Sequence, residues 1–147
     1  MVKRFWALMG LVSLFAGSAS AQFTFSHDYT VQVRPNSVAV GGFKTSGDIH
    51  ADLAVANYLS GSVTVLLNKR NGTGTFNTGT NYPVGTHPRE VAVGDFNGDG
   101  FTDIAAVDVG GNVSILINKA NGTGTFKSAT SVARWFYALQ SRRWRLQ

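Results

Sequence analysis

The sequence contains no cysteine, which excludes disulfides, a thiolate nucleophile and a cysteine-ligated zinc site. It also lacks helical periodicity, because after the first twenty-one residues no segment repeats its apolar side chains at the 3.6-residue spacing of an amphipathic helix. No serine stands in a G-x-S-x-G turn, so no nucleophile of that kind is offered. The domain must therefore be held by its apolar core, by a metal ion or by packing between neighbouring repeats.

The first twenty-one residues have the pattern of a cleaved secretory signal. A basic start, Met1 to Arg4, precedes an apolar run from Phe5 to Ala16, and small residues end the segment at Ala21. The apolar run is too short to cross a bilayer comfortably. The sequence thus predicts a signal helix, no membrane span, and export to the medium, the cell surface or the periplasm.

The sequence pI of about 9.9 suggests a nucleic-acid partner, but the positions of the basic residues argue against one. Two of the thirteen lie in the signal segment and four in the last fourteen residues. Between Gln22 and Ala133 the chain has seven basic residues and all eight of its acidic ones. Because the body of the protein is not basic, we predict no nucleic-acid partner.

The chain contains one unit written twice. SVAVGGF at 37–43 returns as EVAVGDF at 90–96, fifty-three residues later, and NGTGTF at 71–76 returns unchanged at 121–126. The offset falls to fifty because the first copy carries three extra loop residues. The predicted division is a signal peptide at 1–21, an N-terminal strand segment at 22–36, repeats at 37–89 and 90–133, and a divergent basic tail at 134–147.

Each unit predicts four short strands. VAV, DLAVAN or DIAAVD, and SVTVLL or NVSILI are β-branched runs bounded by turn-forming residues. Asn-Gly at Asn71 and Asn121 indicates a hairpin into a fourth strand, which we place at 75–84 in the first copy. Four antiparallel strands in about fifty residues are typical of a propeller blade. The predicted fold class is all-β, an incomplete β-propeller of two four-stranded antiparallel blades after the signal helix.

The stretch GDFNGDGFTD places oxygen-bearing groups at alternate positions around a glycine. The candidate metal ligands are Asp95, Asn97, Asp99, the carbonyl of Phe101 and Asp103. Calcium prefers six to eight such hard oxygens. An EF-hand would need a glutamate where the sequence has alanine, and acidic residues would repel a phosphate. A structural calcium site is favoured, and the alternative is a solvated polar turn that binds no ion.

The first copy departs from this pattern. Its loop, GGFKTSGDIHAD, has Gly42 in the place of Asp95, two extra residues, and Lys44 among the remaining acids. Loss of a carboxylate together with gain of an ammonium group weakens calcium binding. The sequence therefore predicts one calcium ion per chain and not two.

VAVGDFNGDGFTDIAAV followed by NVSILINKANGTGTF resembles the FG-GAP/VCBS-type repeats of integrin-α-like β-propellers, and the likeness extends over residues 23–132. The resemblance implies that the family's metal loop falls on the five ligand positions above. It also implies a non-catalytic module that binds a protein or glycan ligand in adhesion, or has a structural role. The alternative is the propeller part of a secreted polysaccharide lyase or hydrolase.

The tail and the number of blades raise two further expectations. Residues 134–147 are either a basic amphipathic tail or a frameshifted third repeat, since codons for 141–147 exist that spell Val-Ala-Val-Gly-Asp-Phe after loss of one base. The second hypothesis makes the chain the front of a longer propeller. Two blades cannot close a ring, so we expect an open stack with exposed apolar faces and self-association through them.

Overall fold

The computed structural model describes residues 27–132, so the predicted signal helix and the tail at 134–147 lie outside the described part of the chain. Eight strands follow one another in this range: β1 (Pro35–Gly41), β2 (Asp52–Asn57), β3 (Ser62–Leu66), β4 (Thr80–Pro83), β5 (Pro88–Gly94), β6 (Asp103–Asp108), β7 (Val113–Leu116) and β8 (Thr130–Val132). Residues 27–132 include no helix that could cross a membrane.

The strands form two antiparallel four-stranded sheets, ordered β1-β2-β3-β4 and β5-β6-β7-β8. We refer to them as sheet 1 and sheet 2. Both have the same register irregularity in their first strand pair, between Pro35 and Ser37 in sheet 1 and between Pro88 and Glu90 in sheet 2. The sheets stack without closing, which confirms the predicted all-β fold of two antiparallel four-stranded units.

The fourth strand is shorter than predicted. The sequence placed it at 75–84, whereas β4 contains only Thr80–Pro83. Because β3 already ends at Leu66, the residues after the hairpin have no regular partner strand. Only an isolated bridge between Asn68 and Phe76 continues the pairing there.

The core lies between the two sheets. Side chains alternate between the faces of a strand, so Ala54 and Ala56 of β2 face the same way as Val63 and Val65 of β3. This face of sheet 1 packs against β6 and β7 in one buried cluster, whose fully or almost fully buried members are Phe43, Ala54, Val63, Val65, Val84, Ile104, Ala106, Leu116 and Phe126. Burial of this apolar surface is the main force that holds the sheets together.

Phe43 and Phe126 form the aromatic centre of this interface. Their ring centroids lie 5.4 Å apart with an interplanar angle of 80°, an edge-to-face contact. Tyr82, from β4 of sheet 1, contacts the same Phe126 ring at 5.5 Å, and its hydroxyl oxygen accepts the backbone N–H of Phe126 at 3.3 Å. Sheet 1 thus supplies two aromatic side chains to one phenylalanine of sheet 2.

The segment before β1 contacts sheet 1 in the way that the end of β4 contacts sheet 2. The hydroxyl oxygen of Tyr29 accepts the N–H of Phe76 at 2.9 Å, and the two rings meet edge to face at 5.3 Å. Tyr29 precedes Tyr82 by fifty-three residues, and Phe76 precedes Phe126 by fifty. Residues 29–34 therefore correspond to residues 82–87 of the second copy.

The turns that follow these tyrosines also match. The carbonyl of Arg34 accepts the N–H of Tyr58 at 2.8 Å, and the carbonyl of His87 accepts the N–H of Val109 at 3.2 Å. Arg34 and His87 both adopt positive φ, 58° and 55°, which is uncommon for residues with a side chain. Each copy therefore has the same preceding segment, although only the second copy receives it from a complete sheet.

Candidate metal loop and its counterpart

The loop between β5 and β6 is folded around Asp95. One carboxylate oxygen of Asp95 accepts the N–H of Gly98 at 2.7 Å, and the other accepts the N–H of Gly100 at 2.8 Å. Gly98 and Gly100 have φ values of 77° and 83°, which glycine adopts without the steric cost of a side chain. The glycines of the motif therefore let the backbone turn its N–H groups toward this carboxylate.

The next two ligand candidates repeat the arrangement on a smaller scale. Asn97 Oδ1 accepts the N–H of Asp99 at 3.0 Å, and Asp99 Oδ1 accepts the N–H of Phe101 at 2.9 Å. The amide of Asn97 donates to Asp99 Oδ2 at 2.9 Å. Side-chain oxygens at alternate positions therefore fix a short exposed loop by local hydrogen bonds.

The charge of Asp95 is well supported by its surroundings. The hydrogen bond from the Gly100 N–H is the largest influence and lowers the pKa of Asp95, desolvation by the surrounding loop acts in the opposite direction, and the N–H groups of Gly98 and Asp99 lower it further. The net result is a pKa below the ordinary value for aspartate. Asp95 is therefore ionised at neutral pH.

Asp103 differs from the other candidates because it is fully buried. Its two oxygens accept the N–H groups of Phe96 at 3.0 Å and Asn118 at 2.8 Å. In sheet 1, Asp52 is also fully buried and accepts the N–H groups of Phe43 and Asn68 in the same way. A carboxylate at this position braces the loop in both copies.

The counterpart loop between β1 and β2 neutralises its acid with side chains of the same chain. Asp48 forms an ion pair with Arg70, and His50 Nδ1 lies 3.1 Å from Asp48 Oδ1. The N–H of Lys44 donates to Asp48 Oδ2 at 3.3 Å, while the Lys44 ammonium donates to the carbonyl of Asn68 at 2.6 Å. Burial acts to raise the pKa of Asp48, but the hydrogen bonds from His50, Lys44 and Arg70 outweigh it, and the pKa is lowered.

Gly42 marks why this loop cannot copy the other one. A Cβ atom at Gly42 would lie 2.2 Å from the carbonyl oxygen of Asp48, so no aspartate fits there without moving the backbone. Arg70 corresponds to Ala120 in the second copy, and both residues have positive φ, 58° and 53°. Where the first copy combines Gly42 with Arg70, the second combines Asp95 with Ala120.

The five predicted ligand positions do not form a ready-made cluster. Asp95, Asn97 and Asp99 lie together on the exposed loop, whereas Asp103 lies beneath it in the core. Within residues 27–132, no three histidine, aspartate or glutamate side chains are placed so that they could hold a metal ion together. Sequence reasoning missed Arg70 and Asn118, which act on loops far from them in sequence. For Asn118, the one signal in the sequence is that the Asn-Lys pair before the hairpin occurs in both copies.

The three histidines make contacts outside the predicted metal loop. His50 contacts Asp48, and His27 stacks on Tyr29 with ring centroids 6.4 Å apart. His87 lies 4.7 Å from the Tyr58 ring, whose other neighbour is the Arg34 guanidinium at 4.7 Å. The Tyr58 ring thus joins the turn after β2 to the residues that precede β1 and β5, whereas the His50 contact lies within the β1–β2 loop.

Two stacked four-stranded antiparallel sheets, each with an oxygen-rich loop between its first two strands, define a propeller-like repeat protein. The chain belongs to the FG-GAP-like repeat family, whose sequence model matches residues 45–106 and again residues 95–142, more than half of the chain. The second match continues beyond Val132 into the segment predicted as a divergent tail. A search of curated proteins found no match to the chain.

Proposed function

We propose that the chain is an exported, non-catalytic repeat module in which one calcium ion stabilises the β5–β6 loop, and whose loops bind a protein or glycan. The observation that carries the calcium proposal is the different source of positive charge in the two loops. In the β1–β2 loop, Arg70 and His50 contact Asp48. Among the described residues, no lysine, arginine or histidine lies within ion-pair distance of Asp95, Asp99 or Asp103.

The donor set of this loop suits calcium. Carboxylate oxygens of Asp95 and Asp99, the amide oxygen of Asn97 and the carbonyl of Phe101 are hard ligands of the kind calcium prefers, and Asp103 would add to them from below. Calcium would supply the positive charge that Arg70 supplies in the other copy. The ion would therefore fix how β5 and β6 leave the loop, and it would stabilise the folded state by mass action.

Export and ligand binding rest on other observations. The predicted signal at 1–21 supports export, and membership of the FG-GAP-like repeat family supports a binding or structural role. The described histidines are engaged in an ion pair or in aromatic contacts, which supports a non-catalytic module over the lyase or hydrolase alternative. The lyase or hydrolase alternative predicts that the purified chain breaks down a polysaccharide. Incubation of the chain with that polysaccharide would then release oligosaccharide products.

Calorimetric calcium titration of the purified, chelator-treated chain tests the metal proposal. We expect one ion per chain, with a dissociation constant of about 10⁻⁴–10⁻³ M as in other extracellular modules. At free calcium one hundred times that constant, the free energy of unfolding should rise by about 2.7 kcal/mol. Two ions per chain, or no heat and no rise in the unfolding temperature, would overturn the proposal.

A charge-matched pair of variants makes this test specific. Asp99→Asn removes one ligand charge but keeps the Oδ1 atom that accepts the Phe101 N–H. Asp28→Asn removes the same charge from an exposed residue outside the loop. We expect Asp99→Asn to weaken calcium binding at least about tenfold, which corresponds to about 1.4 kcal/mol. Asp28→Asn should leave it unchanged, and equal effects of both variants would show only a general charge effect.

A further inference from the structure

Each outer face of the two-sheet stack repeats one side of the interface between the sheets, but has no partner sheet against it. At the internal interface, Asn118 Nδ2 donates to the carbonyl of Phe43 at 2.8 Å, and the Phe43 ring is fully buried against Phe126. The Ser37 hydroxyl oxygen accepts the N–H of Val91 at 3.3 Å. Because the two copies are equivalent, each of these residues has a counterpart fifty or fifty-three residues away.

The open face of sheet 2 presents the counterpart of Phe43. Phe96 follows Phe43 by fifty-three residues, yet its side chain is 50% exposed. The strands beside it turn exposed or partly exposed side chains to the same face: Ala92, which is exposed, and Ala105, Val107, Val113 and Ile115, which are partly exposed. Their counterparts in sheet 1 lie on the face that packs against sheet 2. The open face of sheet 2 is therefore shaped like the face that sheet 1 uses internally.

The open face of sheet 1 presents the complementary half. Val38 and Val40 are each 60% exposed, whereas their counterparts Val91 and Val93 pack against the core. Asn68 Nδ2 donates to the carbonyl of Ala51 at 3.2 Å. Its counterpart Asn118 makes the equivalent bond to Thr102 and, in addition, the bond to Phe43. The second acceptor of Asn68 is therefore missing from its own chain among the described residues.

The N-terminal segment completes this face. Tyr29 already gives Phe76 the hydroxyl contact that Tyr82 gives Phe126. Sheet 2 has Val132, in β8, at the position of Tyr82 and so lacks that hydroxyl. When another sheet packs on the open face of sheet 1, residues 29–34 already occupy the position that its fourth strand would take.

We propose that this protein assembles head to tail, with the open face of sheet 2 of one copy packed on the open face of sheet 1 of a second copy. Phe96 then contacts Phe76 of the second copy as Phe43 contacts Phe126, and its carbonyl accepts from Asn68. Strand β8 has only three residues, all exposed, so residues 29–34 of the second copy can displace it at little cost in buried surface. Such a heterologous contact closes into a ring, and propellers of four to eight blades correspond to about two to four copies.

Cross-linking tests the register, because the chain has no cysteine of its own. Glu90 and Val38 are the counterparts of Ser37 and Val91, and both are exposed. When Glu90→Cys chains are mixed with Val38→Cys chains under mild oxidation, we expect a mixed disulfide dimer, and the double variant should give covalent oligomers. The double variant Ser37→Cys with Val91→Cys is the control, which should cross-link within one chain. The proposal would be overturned if the mixture formed no mixed disulfide dimer, or if Val38→Cys chains alone formed dimers to the same extent.

Sedimentation velocity tests the association without any cross-link. We expect the full chain to form a discrete oligomer that dissociates on dilution. Val40→Lys should raise the dissociation constant at least about tenfold, because the lysine would be buried without a partner. Ile49→Lys is the control, since Ile49 is 92% exposed in the β1–β2 loop and belongs to neither set of strand residues that form the open faces. A wild-type chain that stays monomeric at all concentrations, or equal effects of the two lysines, would overturn the proposal.

Discussion

At the scale of single residues, the two copies hold the same kind of acidic loop by different means. Asp48 has almost no exposed side-chain surface, and burial, which raises its pKa, is outweighed by hydrogen bonds from the backbone and ring of His50, from the N–H of Lys44 and from Arg70. Removal of one partner from a covered ion pair leaves the other charge without compensation. Arg70 is itself only partly covered, so solvent screens part of this interaction.

We expect Arg70→Met to lower the free energy of unfolding by about 1–3 kcal/mol at pH 7. The pKa of Asp48 is lowered in the folded state, so its contribution to stability is present above the unfolded value, about pH 4, and is lost as pH falls through the folded value. The gap between Arg70→Met and wild type should therefore shrink in acid. Denaturant unfolding from pH 3 to pH 7 measures it, with Lys69→Met as an exposed control. A gap of the same size at pH 3 and at pH 7 would contradict this account.

At the scale of elements, the turn between β2 and β3 is closed by contact with the end of β4. The carbonyl of Gly61 accepts the N–H of Val84 at 2.9 Å. Gly61 has a φ of 61°, and a Cβ atom there would lie 2.5 Å from the carbonyl oxygen of Gly85. Glycine is therefore required at this position for conformation and for space.

Comparison of Gly61→Ala with Gly72→Ala separates these two requirements. Gly72, in the hairpin loop, has a φ of 74° but no atom within 4 Å of an added Cβ. Each substitution should cost about 1–2 kcal/mol for its positive φ. Gly61→Ala should cost more because the backbone at Gly85, just after β4, must also move, and thermal unfolding of both variants will show the difference. Equal losses would mean that the turn yields freely.

Most of the strands and turns could be predicted from the sequence, because strand patterns and Asn-Gly turns are local. The VAV runs and the two β-branched runs after each of them form β1 to β3 and β5 to β7. The resemblance to FG-GAP-type repeats is also confirmed. The shortened β4 and the pairing of Asp48 with Arg70 could not be predicted. Both depend on residues brought together by the fold, and no local pattern records which side chain will meet a given carboxylate.

At the scale of the whole molecule, the buried core belongs to neither sheet alone. Ile104 and Leu116 of sheet 2 are fully buried in the cluster that contains Val63 and Val65 of sheet 1. A single unit of a repeat protein cannot bury its apolar face without a neighbouring unit. The two sheets should therefore unfold together.

Ile104→Ala tests this cooperativity. The substitution should lower the free energy of unfolding by about 2–5 kcal/mol, and amide hydrogen exchange should become faster in β2 and β3 as well as in β6. Val107→Ala is the control, because Val107 lies on the same strand but on the opposite, open face. Measured at a concentration low enough to keep the chain monomeric, it should cost less than half as much. Faster exchange confined to sheet 2 would indicate that the sheets are independent units.

The exchange of Arg70 for Ala120 between the copies bears on how such repeats diverge. Under the calcium proposal, an arginine of the chain itself takes the place of the ion in the β1–β2 loop, so the stability of that loop should not depend on the calcium concentration. The β5–β6 loop of the second copy, which has Ala120 in the place of Arg70, should remain dependent on the ion. In longer arrays of this unit, the residue two places after the Asn-Lys pair's asparagine becomes a readable mark: a basic residue there should accompany decayed loops, and a small neutral one should accompany intact alternating acids.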